Sequence, residues 1–207
     1  MKKRLDKVDA DIVILGGDIV DESTTKSDME YVFEVFGDIK NKKGIYYVYG
    51  NHDRQQYKAK PAYTNNELIN TIIDNNIEIL YDNYVIISDS VVLAGREDYS
   101  HTRETVTNIL KDVNKDDYII MVDHQPVQYV ENIDNGVDLI VSGHTHGGQV
   151  FPIEFFINLL HTADLSYGYE KFENMDAIVS SGLVGWGYPI RTQKHSEYVI
   201  VDIKQKK

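Results

Sequence analysis

The sequence predicts a layered α/β domain in which mixed β-sheets are flanked by helices. Short β-branched runs alternate with windows in which apolar residues recur every three or four positions. Of the 207 residues, 42% are hydrophobic and 26% are charged, a composition that is usual for folded globular proteins. Because no repeat, low-complexity tract or linker divides the chain, we expect a single domain over residues 1–207.

The first half of the chain is predicted to alternate strands and helices. Residues 10–18, ADIVILGGD, have a continuous apolar centre, which is typical of a strand buried on both faces. Five apolar residues at helical spacing follow, and they are Met29, Val32, Phe33, Phe36 and Ile39. Residues 45–53, IYYVYGNHD, begin as a strand, and residues 65–76 predict a second helix.

The second half begins with three closely spaced strand-like runs, which we expect to be antiparallel neighbours: residues 77–82, 84–88 and 91–95. Alternation of helices and strands then resumes. The remaining predicted elements are a helix at 102–114, a strand at 118–124, a short helical link, and strands at 137–144, 175–182 and 196–203.

The composition limits the classes of ligand and partner. The chain has no Cys, so a metal ion would have to bind His, Asp, Glu or Asn side chains. The net charge of −12 argues against a generic nucleic-acid surface. No run is as long and apolar as a membrane span, and the first residues lack the apolar stretch of a signal peptide. We interpret FPIEFFINLL, residues 151–160, as a short amphipathic element packed on the domain rather than as a membrane or partner contact.

Polar side chains follow four of the predicted strands. Asp18 and Asn51 come after the first two strands, and His124 and His144 come after two later ones. Open α/β sheets place ligands at the carboxyl ends of their strands. In SGHTHGGQV, His144 and His146 are two positions apart and can face one target together. Each residue alone is more typical of a turn or a structural hydrogen bond, but together they predict a site for Mn, Fe or Zn.

Four motifs in this order resemble those of calcineurin-like metallophosphoesterases: GGD at 16–18, GNHD at 50–53, DHQP at 123–126 and GHTHGGQ at 143–149. The segments VVLAGRED and SSGLVGWGYPIR also resemble a bacterial branch of small phosphohydrolases. The resemblance covers nearly the whole chain and implies a metallophosphoesterase-like fold and hydrolysis of a phosphoester by a metal-bound hydroxide. The expected substrate is a phosphodiester, phosphomonoester or pyrophosphate, either a small molecule or a lipid-like one.

The resemblance also implies a role for each matching metal ligand. Asp18 resembles the carboxylate that bridges two metal ions about 3.5 to 4 Å apart. Asn51, His124 and His144 resemble the other protein ligands of one ion. His146 resembles a ligand of the second ion.

Two residues of GNHD are not metal ligands in this pattern. His52 is expected to stabilise charge on the reacting phosphoryl group or to protonate the leaving oxygen. Asp53 is expected to fix the tautomer of His52 and raise its pKa, and its structural alternative is a local turn cap. Four other residues are interpreted as structural or exposed and left outside the site: His101, His161, His195 and Arg191.

The first motif of the family, Asp-x-His at the end of an initial strand, has no counterpart in these residues. A crossover to a parallel strand needs a dozen or more residues, so we expect that strand to be missing and the chain to be truncated at its N-terminus. One divalent ion, Mn in preference to Zn or Fe, should then bind well. We expect a second ion to bind poorly and hydrolysis to be impaired.

The alternative function is a non-catalytic metal-binding interaction module of the same fold. The lost ligands favour this alternative, whereas the intact GNHD and GHTHGGQ motifs favour the enzyme. A missing first strand would also leave an open sheet edge, through which we expect self-association. The compartment is left open, because residues upstream would carry any membrane anchor or export signal.

Overall fold

The computed structural model describes residues 2–187 and 190–204. Their strands are β1 (Val13–Leu15), β2 (Ile45–Tyr47), β3 (Ile77–Ile79), β4 (Asn83–Ser88), β5 (Val91–Gly95), β6 (Tyr118–Val122), β7 (Leu139–Ser142), β8 (Gly168–Phe172) and β9 (Met175–Val179). Their α-helices are α1 (Lys2–Leu5), α2 (Lys26–Gly37), α3 (Asn65–Asp74), α4 (Val106–Ile109), α5 (Tyr129–Asp134) and α6 (Ile153–Leu160). A 3₁₀ turn covers His146–Gly148.

The first sheet has the order β1-β2-β3 and is parallel throughout, because a helix separates each pair of successive strands. Helix α2 begins after Thr25, whose side chain accepts a hydrogen bond from the Asp28 N–H. Helix α3 begins after Thr64, which forms a reciprocal capping box with Glu67. Both helices bury apolar side chains against the outer face of the sheet, among them Met29, Phe33, Phe36, Leu68 and Ile72.

The second sheet has the order β4-β5-β6-β7-β9-β8, with a parallel centre and an antiparallel strand at each edge. Helices α4 and α5 pack on its outer face through Val106, Ile109 and Tyr129. The inner faces of the two sheets share a third apolar cluster, which includes Tyr46, Val48, Leu93, Ile120 and Val122. The result is a helix–sheet–sheet–helix sandwich, so the predicted layered α/β fold is confirmed.

Three predicted elements differ in the structure. Strand β3 pairs in parallel with β2 rather than antiparallel with β4, because the crossover through α3 returns the chain in the same direction. The segment 196–203 belongs to no strand among the described residues. The helix predicted over 102–114 is only the single turn α4. In addition, the structure has a strand that was not predicted, β8, whose side chains are mostly polar and exposed.

Helix α6 is also less buried than predicted. None of its eight residues is buried, although most of them are apolar. Among the described helices and strands, α6 has its main contact with the 3₁₀ turn that precedes it. Within the described ranges, no helix is both long enough and apolar enough to cross a bilayer.

Candidate metal centre

The two sheets bring four polar side chains towards one end of the molecule. Asp18 and Asn51 follow β1 and β2 of the first sheet. His124 and His144 follow β6 and β7 of the second. Asp18, His124 and His144 each offer a ligand atom, and the three atoms all lie within 4.8 Å of one another. In the described part of the chain, this is the only group of three or more acidic or histidine side chains with such spacing.

The Asp18 carboxylate and the His124 ring form the centre of this group. Nε2 of His124 lies 3.1 Å from Asp18 Oδ2, and Nδ1 lies 2.7 Å from Gly16 O, to which it donates. Burial raises the pKa of Asp18, but the charge of His124 and hydrogen bonds from His124 and the His52 N–H lower it to about 2. Burial lowers the pKa of His124, but Asp18 and the Gly16 carbonyl raise it to about 9. The two side chains therefore form a buried ion pair at the position where a cation would bind.

His144 and Asn51 offer two further ligand atoms. The ring centroid of His144 lies 5.2 Å from that of His124, and the rings are nearly perpendicular. Burial and the charge of His124 lower the pKa of His144 to about 4, so its ring is neutral at pH 7. The buried Oδ1 of Asn51 has no hydrogen-bond partner among the described residues, which is costly unless a ligand meets it. One carboxylate, two imidazoles and an orphaned amide oxygen fit a divalent ion such as Mn, Fe or Zn.

His146 lies outside this group, although it follows His144 by two residues. Its carbonyl oxygen accepts a hydrogen bond from Nη1 of Arg191 at 3.0 Å. Burial lowers the pKa of His146, and Arg191 adds to this effect while Asp18 opposes it. The structure thus brings Asp18, His124 and His144 together but does not add His146 to them. Arg191, left outside the predicted site, holds the loop that carries His146.

The backbone at the site is strained. Three non-glycine residues of the predicted ligand set have positive φ: +50° at Asp18, +64° at His144 and +51° at His146. Gly17 has φ +87°, and a Cβ there would lie 2.6 Å from His124 Nδ1. A Cβ on Gly50 would overlap the Asp18 carboxylate. These glycines are required because the neighbouring backbone and the side chains of Asp18 and His124 leave no room for a Cβ.

His52 borders the group through its backbone and its ring. Its N–H donates to Asp18 Oδ1 at 2.9 Å, and its Nδ1 lies 2.7 Å from Glu22 Oε2. The ring also contacts two aromatic side chains, Tyr57 at 5.3 Å and Trp186 at 5.5 Å between centroids. Neither Glu22 nor Trp186 was predicted as a site residue. Glu22 lies only four residues after Asp18. Trp186 lies in SSGLVGWGYPIR, a segment that resembles the family, but nothing in that segment assigns it to the site.

Asp53 does not hold the ring of His52, so its predicted role as the partner that fixes this tautomer is wrong. Its Oδ2 accepts hydrogen bonds from the N–H groups of Asp18 and Gly50. Its Oδ1 accepts from those of Ile19 and Val20. Burial and the charge of Asp18 raise the pKa of Asp53 to about 6. The backbone hydrogen bonds favour the ionised form and lower the pKa, but their effect is smaller. Asp53 therefore ties the loop after β1 to the loop after β2. This role is closer to the local turn cap that was given as its structural alternative.

A comparison with family models gives a match over residues 1–148 to the calcineurin-like phosphoesterases. The chain belongs to this family. An uncharacterised metallophosphoesterase from Helicobacter pylori is 32% identical over 94% of the chain and 51% of the relative. One from Aquifex aeolicus is 28% identical over 100% of the chain and 77% of the relative.

Other family members differ in length and setting. A protein of Danio rerio described as a transmembrane protein with a metallophosphoesterase domain is 26% identical over 97% of the chain and 47% of the relative. The chain spans about half the length of several of the curated relatives that it matches. Among solved structures, TT1561 of Thermus thermophilus superposes with a TM-score of 0.57 at 12% identity, over 86% of the chain and 80% of TT1561. This superposition supports the fold.

Proposed function

We propose that the chain hydrolyses phosphoester bonds with a divalent metal ion held by Asp18, Asn51, His124 and His144. The observation that carries the proposal is the gathering of one carboxylate and two imidazoles within 4.8 Å at the end of two sheets. Manganese is the preferred ion, because the ligands are a mixed set of oxygen and nitrogen atoms without thiolate. The substrate class is a phosphodiester, phosphomonoester or pyrophosphate.

When bound, such an ion acts as a Lewis acid for phosphoryl oxygens and makes hydroxide available near neutral pH. The chain prepares its ligands for this ion. The Nδ1–H of His124 donates to Gly16 O, and this bond directs Nε2 towards Asp18. Because the pKa of His144 is lowered to about 4, its ring needs no deprotonation before it binds.

We propose that His52 protonates the leaving oxygen of the phosphoester. The Glu22 carboxylate, 2.7 Å from Nδ1, accepts the proton on that nitrogen and so orients the ring. In the doubly protonated ring, Nε2–H then gives its proton to the departing oxygen, and the neutral ring that remains keeps its Nδ1–H on Glu22. Glu22 acts as a positioning residue, in the role first predicted for Asp53.

The test compares hydrolysis of a chromogenic phosphodiester by wild type and by Asp18→Asn, with and without added Mn²⁺. We expect Mn²⁺-dependent hydrolysis in wild type and a loss of at least about 100-fold in the variant, since a ligand of the ion is lost. Asp116→Asn is the matched control, because Asp116 is exposed on the loop before β6. Equal rates in all three proteins would overturn the proposal.

The rival function is a metal-binding interaction module without catalysis. It is supported by the position of His146 outside the ligand group, which leaves few side chains for a second ion. The discriminating measurement is metal binding by calorimetry on the same samples that are assayed for hydrolysis. Tight Mn²⁺ binding without turnover of a phosphodiester, a phosphomonoester or a pyrophosphate would favour the module.

A further inference from the structure

Helix α6 has its polar and apolar sides reversed relative to an ordinary surface helix. Its one charged side chain, Glu154, points to the protein and pairs with Lys194 Nζ at 3.1 Å. The backbone of Glu154 packs on the 3₁₀ turn so closely that a Cβ on Gly148 would lie 2.6 Å from Glu154 N. The apolar side chains of the helix point outward instead. A helix normally buries its apolar side, so this orientation indicates a surface for contact with an apolar partner.

The exposed apolar side chains form a surface that we call the apolar face. In and just before α6 they are 48% to 71% exposed, and they are Phe151, Ile153, Phe155, Phe156, Leu159 and Leu160. A neighbouring loop adds three more, Val184, Trp186 and Ile190. Gln149 joins the two parts, because its Nε2 donates to the carbonyl oxygens of Trp186 and Ile190 and its Oε1 accepts from the Trp186 N–H.

The apolar face reaches the candidate metal centre. The indole of Trp186 lies against the ring of His52, with 5.5 Å between centroids. His52 is the residue to which we assign the leaving-group proton, so the group beyond the leaving oxygen would lie next to Trp186. An apolar group attached there would lie beside the loop that Gln149 joins to the start of the α6 segment.

The charges near the face indicate which apolar partner it fits. Between residues 150 and 160 the only charged side chain is Glu154, which is already paired with Lys194. Beside the loop part of the face, the guanidinium of Arg191 donates to backbone carbonyl oxygens, among them that of Val184. The whole chain has a net charge of −12, so an anionic surface would be repelled. A partner that is apolar, has no net charge and displays phosphoesters at its surface is a zwitterionic lipid layer.

We infer that the apolar face docks the chain on a zwitterionic lipid surface and presents phosphoesters of lipids to the metal centre. The inference rests on the proposed function for its substrate, but the docking step is separate from catalysis. Aromatic and aliphatic side chains on an exposed helix are suited to insertion at the boundary between headgroups and acyl chains.

Docking can be followed through Trp186, because it is the only tryptophan of the chain. The full chain is mixed with phosphatidylcholine vesicles in the presence of a chelator, and co-sedimentation and tryptophan emission are measured. We expect binding, with emission shifted to shorter wavelength as the indole leaves water. Raising NaCl from about 0.05 to 0.5 M should change binding less than twofold, because the contact is apolar.

The variant Phe155→Ser/Leu159→Ser should weaken vesicle binding at least about tenfold, since two exposed apolar side chains are removed. Ile86→Ser/Val130→Ser is the matched control, because both of its residues are 71% exposed and lie on β4 and α5. No binding by wild type, equal binding by the two double variants, or an unmoved emission spectrum would overturn the inference. A wild-type dimer that Phe155→Ser/Leu159→Ser converts to monomer, without vesicle binding, would overturn it in favour of a second copy.

The Asp18→Asn variant separates this inference from the proposed function. We expect it to bind vesicles as wild type does, although its hydrolysis is lost. If wild type hydrolyses a soluble phosphodiester but ignores vesicles, the docking surface is wrong and the proposed function stands. If wild type binds vesicles but hydrolyses neither soluble nor lipid phosphoesters, the proposed function is wrong and docking stands.

Discussion

His124 has both ring nitrogens engaged before any cation binds. Nδ1 donates to Gly16 O, and Nε2 faces the Asp18 carboxylate at 3.1 Å. The pKa of His124 is raised to about 9, so the ring carries a proton on each nitrogen at neutral pH. A metal ion at Nε2 must displace one of these protons. The pKa of Asp18 is about 2 and that of His144 about 4, so neither group titrates in the same range.

We therefore expect the affinity for Mn²⁺ to rise with pH and to level off near the pKa of His124, about 9. Below that value the protonated ring competes with the ion, so affinity should fall about tenfold per pH unit, with about one proton released per ion at pH 7. Calorimetry in two buffers of different ionisation enthalpy measures the proton count. An affinity that stays constant between about pH 6.5 and 8.5 would contradict this prediction.

Asp53 is expected to matter for stability. Each of its carboxylate oxygens accepts two backbone N–H groups, and an Asn amide could replace only one oxygen while turning its NH₂ towards two donors. We expect Asp53→Asn to lower the free energy of unfolding by about 2–4 kcal/mol, as for buried donors left unsatisfied. Urea unfolding measures this change, with Asp116→Asn as the control. A loss below about 1 kcal/mol would show that other groups satisfy these donors.

At the scale of elements, the turn after β1 determines where Asp18 and His124 meet. Gly17 has φ +87°, and a Cβ there would lie 2.6 Å from both Gly50 N and His124 Nδ1. Gly16, the preceding residue, has nothing within 4 Å of its Cβ position. The two glycines therefore form a matched pair for substitution.

We expect Gly17→Ala to lower the free energy of unfolding by about 1–3 kcal/mol and to weaken Mn²⁺ binding, because it combines strain with displacement of His124. Gly16→Ala should stay within about 0.5 kcal/mol of wild type. Thermal unfolding and metal titration of the two variants measure the difference. Equal behaviour of the two variants would mean that the loop shifts to accept a Cβ.

The elements that were predicted correctly are those whose sequence pattern lies within the element itself. The apolar stripe of α2 and the capping box of α3 lie within one helix each, and the continuous apolar run of β1 lies within one strand. Strand β3 and segment 196–203 were predicted from similar apolar runs, but their pairing depends on distant strands. The orientation of α6 could not be predicted either. The spacing of its apolar residues is that of any amphipathic helix, and this spacing does not say which side of the helix faces the protein.

At the scale of the whole molecule, the candidate site could be predicted only as a set of strand ends. The motifs indicated which strands end in ligands, and the structure brings Asp18, His124 and His144 within reach of one ion. The division of those strands between two packed sheets was not predicted. It places Glu22 and Trp186 against His52 across long separations in sequence.

We propose that the chain self-associates through strand edges. Strand β1 is one of the two edges of the first sheet, and the apolar segment 196–203 pairs with no strand among the described residues. Light scattering after gel filtration should show a mass that rises with concentration, and Ile200→Lys should reduce it, because Ile200 is exposed on that segment. Val130→Lys, on α5, is the control. A monomer mass at every concentration would refute the proposal.

The metal ion should stabilise the whole sandwich, because its ligands come from both sheets. Asp18 and Asn51 belong to the first sheet, and His124 and His144 to the second, so unfolding of either sheet releases the ion. With free Mn²⁺ at about 100 times its dissociation constant, linkage adds about 2.7 kcal/mol to the free energy of unfolding. We expect the thermal midpoint to rise with Mn²⁺ and to fall with a chelator in wild type and in Asp116→Asn, but to respond little in Asp18→Asn. If the midpoint of wild type were the same with Mn²⁺ and with chelator, the four side chains would not bind one ion in the folded state.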